Sequence, residues 1–431
     1  MAKKEKLISS GAPIRKGSAL LERLRANHAN VDTAASAMER VRYVDVWNPV
    51  KDLPSISQEF LVGAKGWLAG RICQERATFS KGKSSFMYLQ YAAAQKRHGA
   101  FCMHVETEGA ASPADWVASF GCDPEELIMS ETKSIDECLA MIDEVVCEIR
   151  GGFGGDVGES GRAVKTKFTD PLDPGMEHPI MIGVDSLSQL TQEDKVNQDV
   201  ADMSRTSQPG LMARKMREWF RLRVQRLHQC QACLFLTTHE TQKIATGPAA
   251  FGGPQKTSVA QEAVGISSTY AYDVSVSKWT DNRTGDIRGN ATNLKCFKNK
   301  WSGDKFGGAV REVQLFLDIG RGFDLIHSDA EFLMKHAASP FSERMGLFDR
   351  AQVPVRTSAG IKCTLLSDKT FKSEEDFIRA FYANEDLLMC CRQALRLRGF
   401  GFDFETSWKN QPAEPAANAD AETGKEGGDE R

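Results

Sequence analysis

The central part of the chain alternates short apolar runs with longer amphipathic stretches. The apolar runs have the length of buried strands, and they are GRICQERA (70–77), AFCMHVE (100–106), PIMIGVDS (179–186) and ACLFLTTHE (232–240). The intervening stretches carry apolar residues every three or four positions, as helices do, and they are SSFMYLQYAAAQKRHG (84–99), SIDECLAMIDEVVCEIR (134–150) and PGLMARKMREWFRLRVQRLH (209–228). This alternation predicts an α/β protein with a mostly parallel, twisted sheet flanked by helices.

Other patterns divide the chain into four predicted parts. Residues 18–41 have helical periodicity and predict a small N-terminal helical element, assigned to residues 1–50. The alternating core occupies residues 51–330, and the segment 331–408, which ends in the helical stretch 374–399, predicts a small C-terminal α+β domain. Residues 409–431 are rich in Ala, Glu, Gly and Asp, which predicts a disordered acidic tail. The Gly-rich stretch 151–178 lacks a preceding apolar strand, so we interpret it as an exposed insertion.

Composition is typical of an intracellular globular protein. Of the 431 residues, 41% are hydrophobic and 26% charged, no run has the length of a membrane span, and the N-terminus lacks the apolar core of a secretory signal. We therefore expect a cytoplasmic location and no membrane partner. The eleven cysteines are scattered, and since no second pair follows the C-x-x-C of Cys230 and Cys233, core packing is favoured over zinc. The net charge of −3 does not exclude nucleic acid, because clustering of charge matters more than its sum.

The segment ATFSKGKSSF (77–86) comes within one residue of a phosphate-binding loop. Such a loop needs backbone N–H groups at a helix N-terminus, a lysine that reaches the phosphates and a hydroxyl that ligates Mg²⁺. Gly82, Lys83 and Ser84 match the pattern G-x-x-x-x-G-K-[ST], whereas Ala77 replaces its first glycine. The strand before the loop and the helix after it fit the motif, so we expect ATP and Mg²⁺ as cofactors. The candidate nucleotide-binding residues of the loop are Ala77, Ser80, Lys81, Gly82, Lys83, Ser84 and Ser85.

Acidic side chains end two further strands. Asp185 closes PIMIGVD, where a carboxylate orients Mg²⁺ and its water, so Ser84 and Asp185 are candidate metal ligands. Glu106 and Glu108 follow AFCMHV, which we expect to be the adjacent strand of the predicted sheet. A glutamate at the end of such a strand can polarise the water that attacks the γ-phosphate. The alternatives are a helix-capping role for Asp185 and solvated surface acids for the two glutamates.

Basic residues on one predicted helix indicate a nucleic-acid surface. Arg214, Arg217 and Arg221 are three and four residues apart and share one helix face, where contacts to phosphates would depend on salt. The other side is predicted to be an apolar arc of Met212, Met216, Trp219, Leu222 and Leu227. The alternative is a solvated basic face. Residues 239–265 then form a long connection rich in Gly, Pro, Ala and Thr, and structureless loops of this length are usually functional or mobile.

In their order and spacing, these motifs resemble those of RecA-type recombinases from about residue 45 to 325, and more loosely to 405. The family's catalytic glutamate, which follows its Walker loop, is similar to Glu108 in VETEGA. Its adenine-stacking aromatic is similar to Trp116 in ADWVASFG, and its Walker B aspartate to Asp185 in GVDS. The position similar to its phosphate-sensing glutamine is occupied by His239 in FLTTHE, which is a departure from the family pattern.

The resemblance also implies residues that act at a subunit interface and on DNA. In KCFKNKWSGDKF, Lys298 and Lys300 resemble two lysines that reach the γ-phosphate held by the neighbouring subunit. The stretch NQDVADMSRTSQPG (197–210), which contains Arg205, is similar to the family's first DNA loop. Residues 239–265 are similar to the second DNA loop, and the positions that match its DNA contacts are Lys243, Ile244, Phe251, Gly252 and Gly265.

The resemblance implies a P-loop ATPase that forms helical filaments on single-stranded DNA, hydrolyses ATP in response to DNA, and pairs the strand with homologous double-stranded DNA. The catalytic residues that it implies are Lys83, Glu108, His239, Lys298 and Lys300. Single-strand-binding and loader proteins would be further partners, and the departures from cellular members suggest a phage origin in an infected bacterial host. Two alternatives stay open: a hexameric helicase with the same core fold, and a DNA-binding filament protein whose ATPase has decayed, as Ala77 and His239 would indicate.

Overall fold

A computed structural model describes most of the chain between residues 41 and 395. The described ranges are 41–109, 112–150, 177–192, 210–243, 255–258, 261–281, 284–301, 311–337, 354–368 and 370–395. Almost all of the predicted N-terminal helix, most of the 151–178 insertion, the first predicted DNA loop before Gly210 and the acidic tail lie outside them. The division of the chain into four parts therefore stays a prediction.

Strands and helices follow one another in the order that the apolar pattern predicts. The strands are β1 Tyr43–Asp45, β2 Trp47–Asn48, β3 Leu53–Pro54, β4 Gly66–Leu68, β5 Ile72–Ala77, β6 Phe101–Glu106, β7 Leu127–Glu131, β8 Ile180–Asp185, β9 Ala232–Lys243, β10 Gln255–Ser258, β11 Tyr270–Thr280, β12 Ile287–Asn299, β13 Arg311–Asp318, β14 Gly322–Asp324, β15 Val355–Thr357 and β16 Gly360–Lys362. The helices are α1 Ile56–Val62, α2 Lys83–His98, α3 Ala114–Ser119, α4 Ile135–Arg150, α5 Leu211–Gln229, α6 Gln261–Ser267, α7 Leu325–Ala337, α8 Glu374–Ala383 and α9 Glu385–Ala394.

One large sheet organises the described part of the chain. Its strand order is β14-β13-β12-β11-β5-β9-β8-β6-β7, and β10 pairs with β9. The strands from β11 to β7 are parallel, whereas β12, β13 and β14 continue the sheet as antiparallel neighbours. The predicted α/β class is confirmed. The segment AFCMHV, predicted to be an adjacent strand of the sheet, forms β6. It lies next to β8, but β9 and β8 separate it from β5, the strand that precedes the candidate phosphate loop.

Helices cover both faces of this sheet. Along β5 and β9, successive side chains belong alternately to two apolar clusters, as the two-residue period of a strand requires. One cluster joins Cys73 and Phe235 to α1, α2 and α7, and the other joins Ile72 and Leu234 to α4, α5 and α6. Because parallel strands β5, β6, β8 and β9 all run in one direction, their carboxyl ends meet at one edge, which is where the candidate residues were predicted.

Helix ends are set by single residues. Helix α2 ends at Gly99, which has φ 59°, a left-handed conformation that glycine adopts without a Cβ penalty. The C-terminal helical stretch predicted as continuous is two helices, because Asn384 interrupts it and its side-chain Oδ1 accepts a hydrogen bond from Leu387 N at 2.9 Å.

The prediction of the apolar arc on α5 was wrong at one residue. On α5 the buried residues are Met216, Trp219, Phe220 and Leu227, whereas Leu222 is 62% exposed. At ~100° per residue, Leu222 lies ~120° around the helix from the centre of the buried stripe.

The connection 239–265 is not structureless throughout. Strand β9 continues to Lys243 and pairs antiparallel with β10, and α6 begins at Gln261. Gly265 therefore lies within a helix rather than in a loop.

Candidate nucleotide-binding site

The loop between β5 and α2 has the backbone of a phosphate cradle. Ala77 is the last residue of extended β5 and pairs with His239 of β9, so the position does not need the left-handed freedom of a glycine. Left-handed conformations occur later, at Ser80 (φ 54°) and Gly82 (φ 76°). A Cβ at Gly82 would come within 3.4 Å of Thr292 Oγ1. The first-turn N–H groups of α2, which have no partner within the helix, form a site for an anion.

Lys83 is held beneath this loop. Its side chain is almost fully buried, and its Nζ donates a hydrogen bond to Thr78 O at 3.3 Å. Burial lowers the pKa of Lys83, and the carboxylates of Asp185, Glu108 and Glu75 oppose that change. A desolvated ammonium in the loop is suited to bind phosphate oxygens, which would replace the water contacts that burial removes.

Asp185 is the oxygen-rich centre of the site. Its Oδ1 accepts a hydrogen bond from Thr237 Oγ1 at 2.5 Å, and its Oδ2 accepts one from Ser84 Oγ. A hydroxyl and a carboxylate in contact are ligands that suit Mg²⁺, directly or through its waters, so these residues fit the expected ion. Ligand atoms of His104, Glu106 and Asp185 also lie within 4.8 Å of one another, which places further acid beside this centre.

The two glutamates after β6 have different surroundings. Glu106 is buried, its Oε2 lies 3.8 Å from His104 Nε2, and its Oε1 accepts a hydrogen bond from Glu108 N at 2.6 Å. Glu108 is partly exposed, and its Oε1 accepts a hydrogen bond from Ser186 Oγ at 3.0 Å and lies 2.5 Å from His239 Nε2. Of the two predicted candidates, Glu108 is therefore the one that the structure brings to His239.

The backbone after Asp185 supports this arrangement. Thr107 Oγ1 donates a hydrogen bond to Ser186 O and accepts one from Ser186 N, both at 2.7 Å. Thr107 N also donates to Asp185 O at 2.8 Å. These bonds fasten the carboxyl end of β6 to that of β8, so Glu108 and Asp185 are positioned together.

Sequence reasoning missed three residues of the site. Phe79 stacks on the His239 ring with centroids 4.3 Å apart and an angle of 29° between the planes. Thr237 orients Asp185. Glu75 is fully buried beneath the loop, and neither of its side-chain oxygens has a hydrogen-bond partner among the described residues. The signal for Glu75 was present, since it is an acid inside the buried strand ICQERA; for Phe79 the sequence carries no comparable signal.

The remaining predicted nucleotide-site residues lie in other contacts. Trp116 is half-buried and meets Phe120 edge-on, with ring centroids 5.0 Å apart. Lys298 Nζ donates a hydrogen bond to Gly265 O, and Lys300 Nζ donates one to Ile266 O at 2.7 Å. Both lysines therefore sit on the carboxyl end of α6 within their own chain, where the helix dipole favours a cation. Adenine stacking and contact with a neighbouring subunit stay predictions.

The predicted DNA-binding arginines form an exposed row on α5. Arg214, Arg217 and Arg221 are all exposed, and Arg217 Nη2 lies 2.9 Å from Glu262 Oε2 of α6. Lys243 ends β9. The other predicted DNA contacts lie outside the described residues, and they are Arg205, Ile244, Phe251 and Gly252.

The chain is similar to bacterial RecA proteins. It is 25% identical to protein RecA of Borrelia hermsii over 268 residues, which are 62% of this chain and 64% of that protein. It is also 25% identical to protein RecA of Deinococcus radiodurans over 300 residues (68% and 71%) and to that of Thermotoga neapolitana over 279 residues (64% and 67%). No family model matches the chain. The resemblance to the RecA family is thus confirmed as a distant relationship, which spans about 64% of the length of the Borrelia protein. No helix among the described residues is long and apolar enough to cross a membrane.

Proposed function

We propose that this protein is an ATP-dependent DNA recombinase that forms filaments on single-stranded DNA and promotes homologous pairing and strand exchange in the cytoplasm. One observation carries the proposal. The carboxyl ends of β5, β6, β8 and β9 bring Lys83, Glu108, Asp185 and His239 together beside a phosphate-type loop. The distant similarity to RecA proteins supports a recombinase of this general kind.

The described residues of the site would have separate roles in phosphoryl transfer. The N-terminus of α2 and Lys83 would bind the β- and γ-phosphates, while Ser84 and Asp185 would hold Mg²⁺. Bound there, Mg²⁺ would neutralise charge that develops on the phosphate oxygens. Thr237 keeps the Asp185 carboxylate in place, and Glu108 would accept a proton from the attacking water.

DNA and the neighbouring subunit complete the proposal. The exposed arginines of α5 would contact DNA phosphates, and the two predicted DNA loops, residues 197–210 and 239–265, would contact the strand. Lys298 and Lys300 would leave their contacts on α6 and approach the triphosphate of the next protomer, as cations delivered in trans do in other P-loop ATPases.

The test is ATP turnover measured against the length of single-stranded DNA. We expect turnover per protomer to be low without DNA and to rise with length until most protomers have a neighbour. The control variant Lys83→Ala should lose turnover at every length, since it removes the phosphate-binding cation. Closed rings rather than helical filaments in negative-stain images would instead favour the helicase.

A second function has one observation in its favour. Glu108 Oε1 already has two polar partners, Ser186 Oγ and His239 Nε2, so this oxygen is not open to the attacking water. A filament protein that binds DNA and ATP without hydrolysing it would show this arrangement permanently. Filaments that assemble with ATP but show no turnover at any DNA length would establish that alternative.

A further inference from the structure

The first turns of α7 and α8 bring together three side chains that the proposed function does not use. They are His327 and Glu331 of α7 and Glu374 of α8. His327 and Glu331 are four residues apart and therefore share one face of α7. One ligand atom of each residue lies within 4.8 Å of those of the other two. An imidazole and two carboxylates, which are all metal-binding groups, thus converge between two helices.

Several contacts fix the positions of His327 and Glu374. The His327 ring stacks on Trp279 with centroids 5.1 Å apart and 20° between the planes, and it meets Phe316 edge-on at 4.5 Å. Its Nδ1 lies 3.0 Å from both carboxylate oxygens of Glu374. Glu374 is the first residue of α8, and the side chain of Ser373 caps that helix. The imidazole and this carboxylate therefore face each other in fixed positions.

The spacing of these atoms is close to the spacing of ligands around a tetrahedral metal ion. At the usual Zn²⁺ bond lengths of about 2.0 to 2.1 Å, neighbouring ligand atoms are ~3.3 Å apart. The separation of 3.0 Å between His327 Nδ1 and the Glu374 oxygens is near this value. Glu331 has a long side chain that is 41% exposed, so it can move the short distance that remains. An imidazole nitrogen beside carboxylates favours Zn²⁺ over Mg²⁺ and Ca²⁺, which prefer oxygen ligands.

A positive charge already lies at this cluster. Arg356 Nη2 is 2.6 Å from Glu331 Oε1 and 2.5 Å from Glu374 Oε1, so one nitrogen contacts both carboxylates. Two carboxylates and one guanidinium leave a negative charge in excess, which favours a divalent cation. The Arg356 side chain is 47% exposed, and exposed ion pairs contribute little to stability. A metal ion can therefore compete with Arg356 for the two glutamates.

We propose that His327, Glu331 and Glu374 bind a divalent transition-metal ion of the Zn²⁺ class, which displaces Arg356 from the two glutamates. The imidazole would bind through Nδ1, each glutamate would supply at least one oxygen, and water would complete the coordination. Because the ligands come from α7 and α8, the ion would fasten these two helices together. The site shares no residue with the candidate nucleotide-binding site, and the proposal does not depend on ATP hydrolysis.

The first test measures Zn²⁺ binding by the full chain after treatment with a chelator. Competition with a chromophoric chelator gives the number of bound ions and their affinity, and excess Mg²⁺ keeps ordinary carboxylate sites from being counted. We expect His327→Gln and Glu331→Gln to bind one ion fewer than the wild type. The matched control is Glu375→Gln, which removes the next acid of α8 outside the cluster and should bind as many ions as the wild type. Arg356→Gln should bind Zn²⁺ several-fold more tightly, because its competing cation is gone.

Two results would overturn the proposal. One is an equal number of bound ions in the wild type and Glu331→Gln, and the other is binding by Arg356→Gln that is no tighter than that of the wild type. Cysteine thiols elsewhere in the chain contribute equally to every variant, so only the differences between variants are compared.

A spectroscopic test identifies the atom that binds. The imidazole ¹⁵N signals of the eight histidines can be recorded in labelled protein, and His327→Gln assigns those of His327. We expect Zn²⁺ to shift the Nδ1 signal of His327 in the wild type and in Arg356→Gln, but not in Glu331→Gln at the same concentration. No shift of Nδ1 would refute the proposed ligand set. Neither test uses ATP or DNA, so the result stands whether or not the protein is a recombinase.

Discussion

At the scale of single residues, Glu75 is an acidic side chain in a buried strand. It lies in β5 among buried neighbours, with no hydrogen-bond partner for its carboxyl group among the described residues. Burial raises the pKa of Glu75 well above its usual range, the nearby Asp185 raises it further, and Lys83 opposes both. A buried charge without a partner is costly, so the folded protein favours the neutral acid.

Glu75→Gln should therefore make stability less dependent on pH. The unfolded chain releases the Glu75 proton near pH 4.5, whereas the folded chain retains it, so the wild type loses stability as pH rises above that value. The expected slope is up to about 1.4 kcal/mol per pH unit until the folded group ionises. Urea denaturation from pH 5 to 8 measures it, with the exposed Glu312→Gln as the matched control. If the free energy of unfolding depended on pH in the same way in the wild type and in Glu75→Gln, Glu75 would have to be stabilised by a partner.

The sequence predicted individual site residues only where a motif fixes their role. Lys83, Ser84 and Asp185, which the structure brings together, were predicted because phosphate loops and strand ends of this kind require those residue types at those positions. The doubt about Ala77 disappears in the structure, since the residue ends an extended strand. Phe79 could not be predicted, because its stacking on His239 depends on how the loop bends after Thr78 and on a strand 160 positions away along the chain.

At the scale of elements, buried polar contacts fasten α1 to the C-terminal helices. Glu59 of α1 binds Arg392 of α9 through two hydrogen bonds of 2.6 and 2.9 Å. Asp329 of α7 accepts from Ser57 N at 3.1 Å and from Tyr382 OH at 3.0 Å. Burial raises the pKa of Glu59 to about 7, although Arg392 opposes it, and raises that of Asp329 to about 6. These groups join α1 to the segment that the sequence assigns to the C-terminal domain.

The pair Glu59 and Arg392 should show strong coupling in a double-mutant cycle. Glu59→Gln leaves the arginine charge buried without its partner and should cost about 3 to 5 kcal/mol of unfolding free energy. Arg392→Met should cost less at pH 5 than at pH 8, because Glu59 can stay protonated at the lower pH. Urea denaturation of wild type, both single variants and the double variant measures the coupling. If the loss of unfolding free energy in the double variant equalled the sum of the losses in the single variants, the two side chains would act independently.

Element prediction succeeded where periodicity was strong and failed where tertiary contacts decide. Helices α2, α4 and α5 match the predicted stretches, since α4 and α5 each bury an apolar stripe, and α2 is buried from Ser85 to Ala94 and has a glycine at its end. The neighbours of β6 were not predicted fully, because strand order depends on how crossovers pack and not on the strand's own residues. The hairpin of β9 and β10 was missed because its residues are mostly polar and lack the alternation of a half-buried strand.

At the scale of the whole molecule, Lys298 and Lys300 can act in two ways, within their own chain or across a contact with a neighbouring chain. Within one chain, Lys298 and Lys300 bind the last carbonyl groups of α6, and the same ammonium groups are the proposed cations for a neighbour's triphosphate. A contact within the chain stabilises α6 and works in a monomer. A contact between chains requires that each active site contain the loop of one protomer and the lysines of the next.

Mixing two inactive variants distinguishes these arrangements. Lys83→Ala lacks the loop cation, and Lys298→Ala with Lys300→Ala lacks the interface cations, so each filament alone should hydrolyse almost no ATP. In an equal mixture, random order along the DNA gives about a quarter of the junctions an intact loop and intact lysines, so turnover should recover to about a quarter of the wild-type rate. The ATPase rate is measured at saturating DNA while the ratio of the variants is changed, and it should be highest at equal amounts. The matched control mixes Lys83→Ala with a Lys83→Ala chain that also lacks both lysines, which cannot rebuild a site. A mixture no more active than its components would place the lysines in a purely structural role on α6.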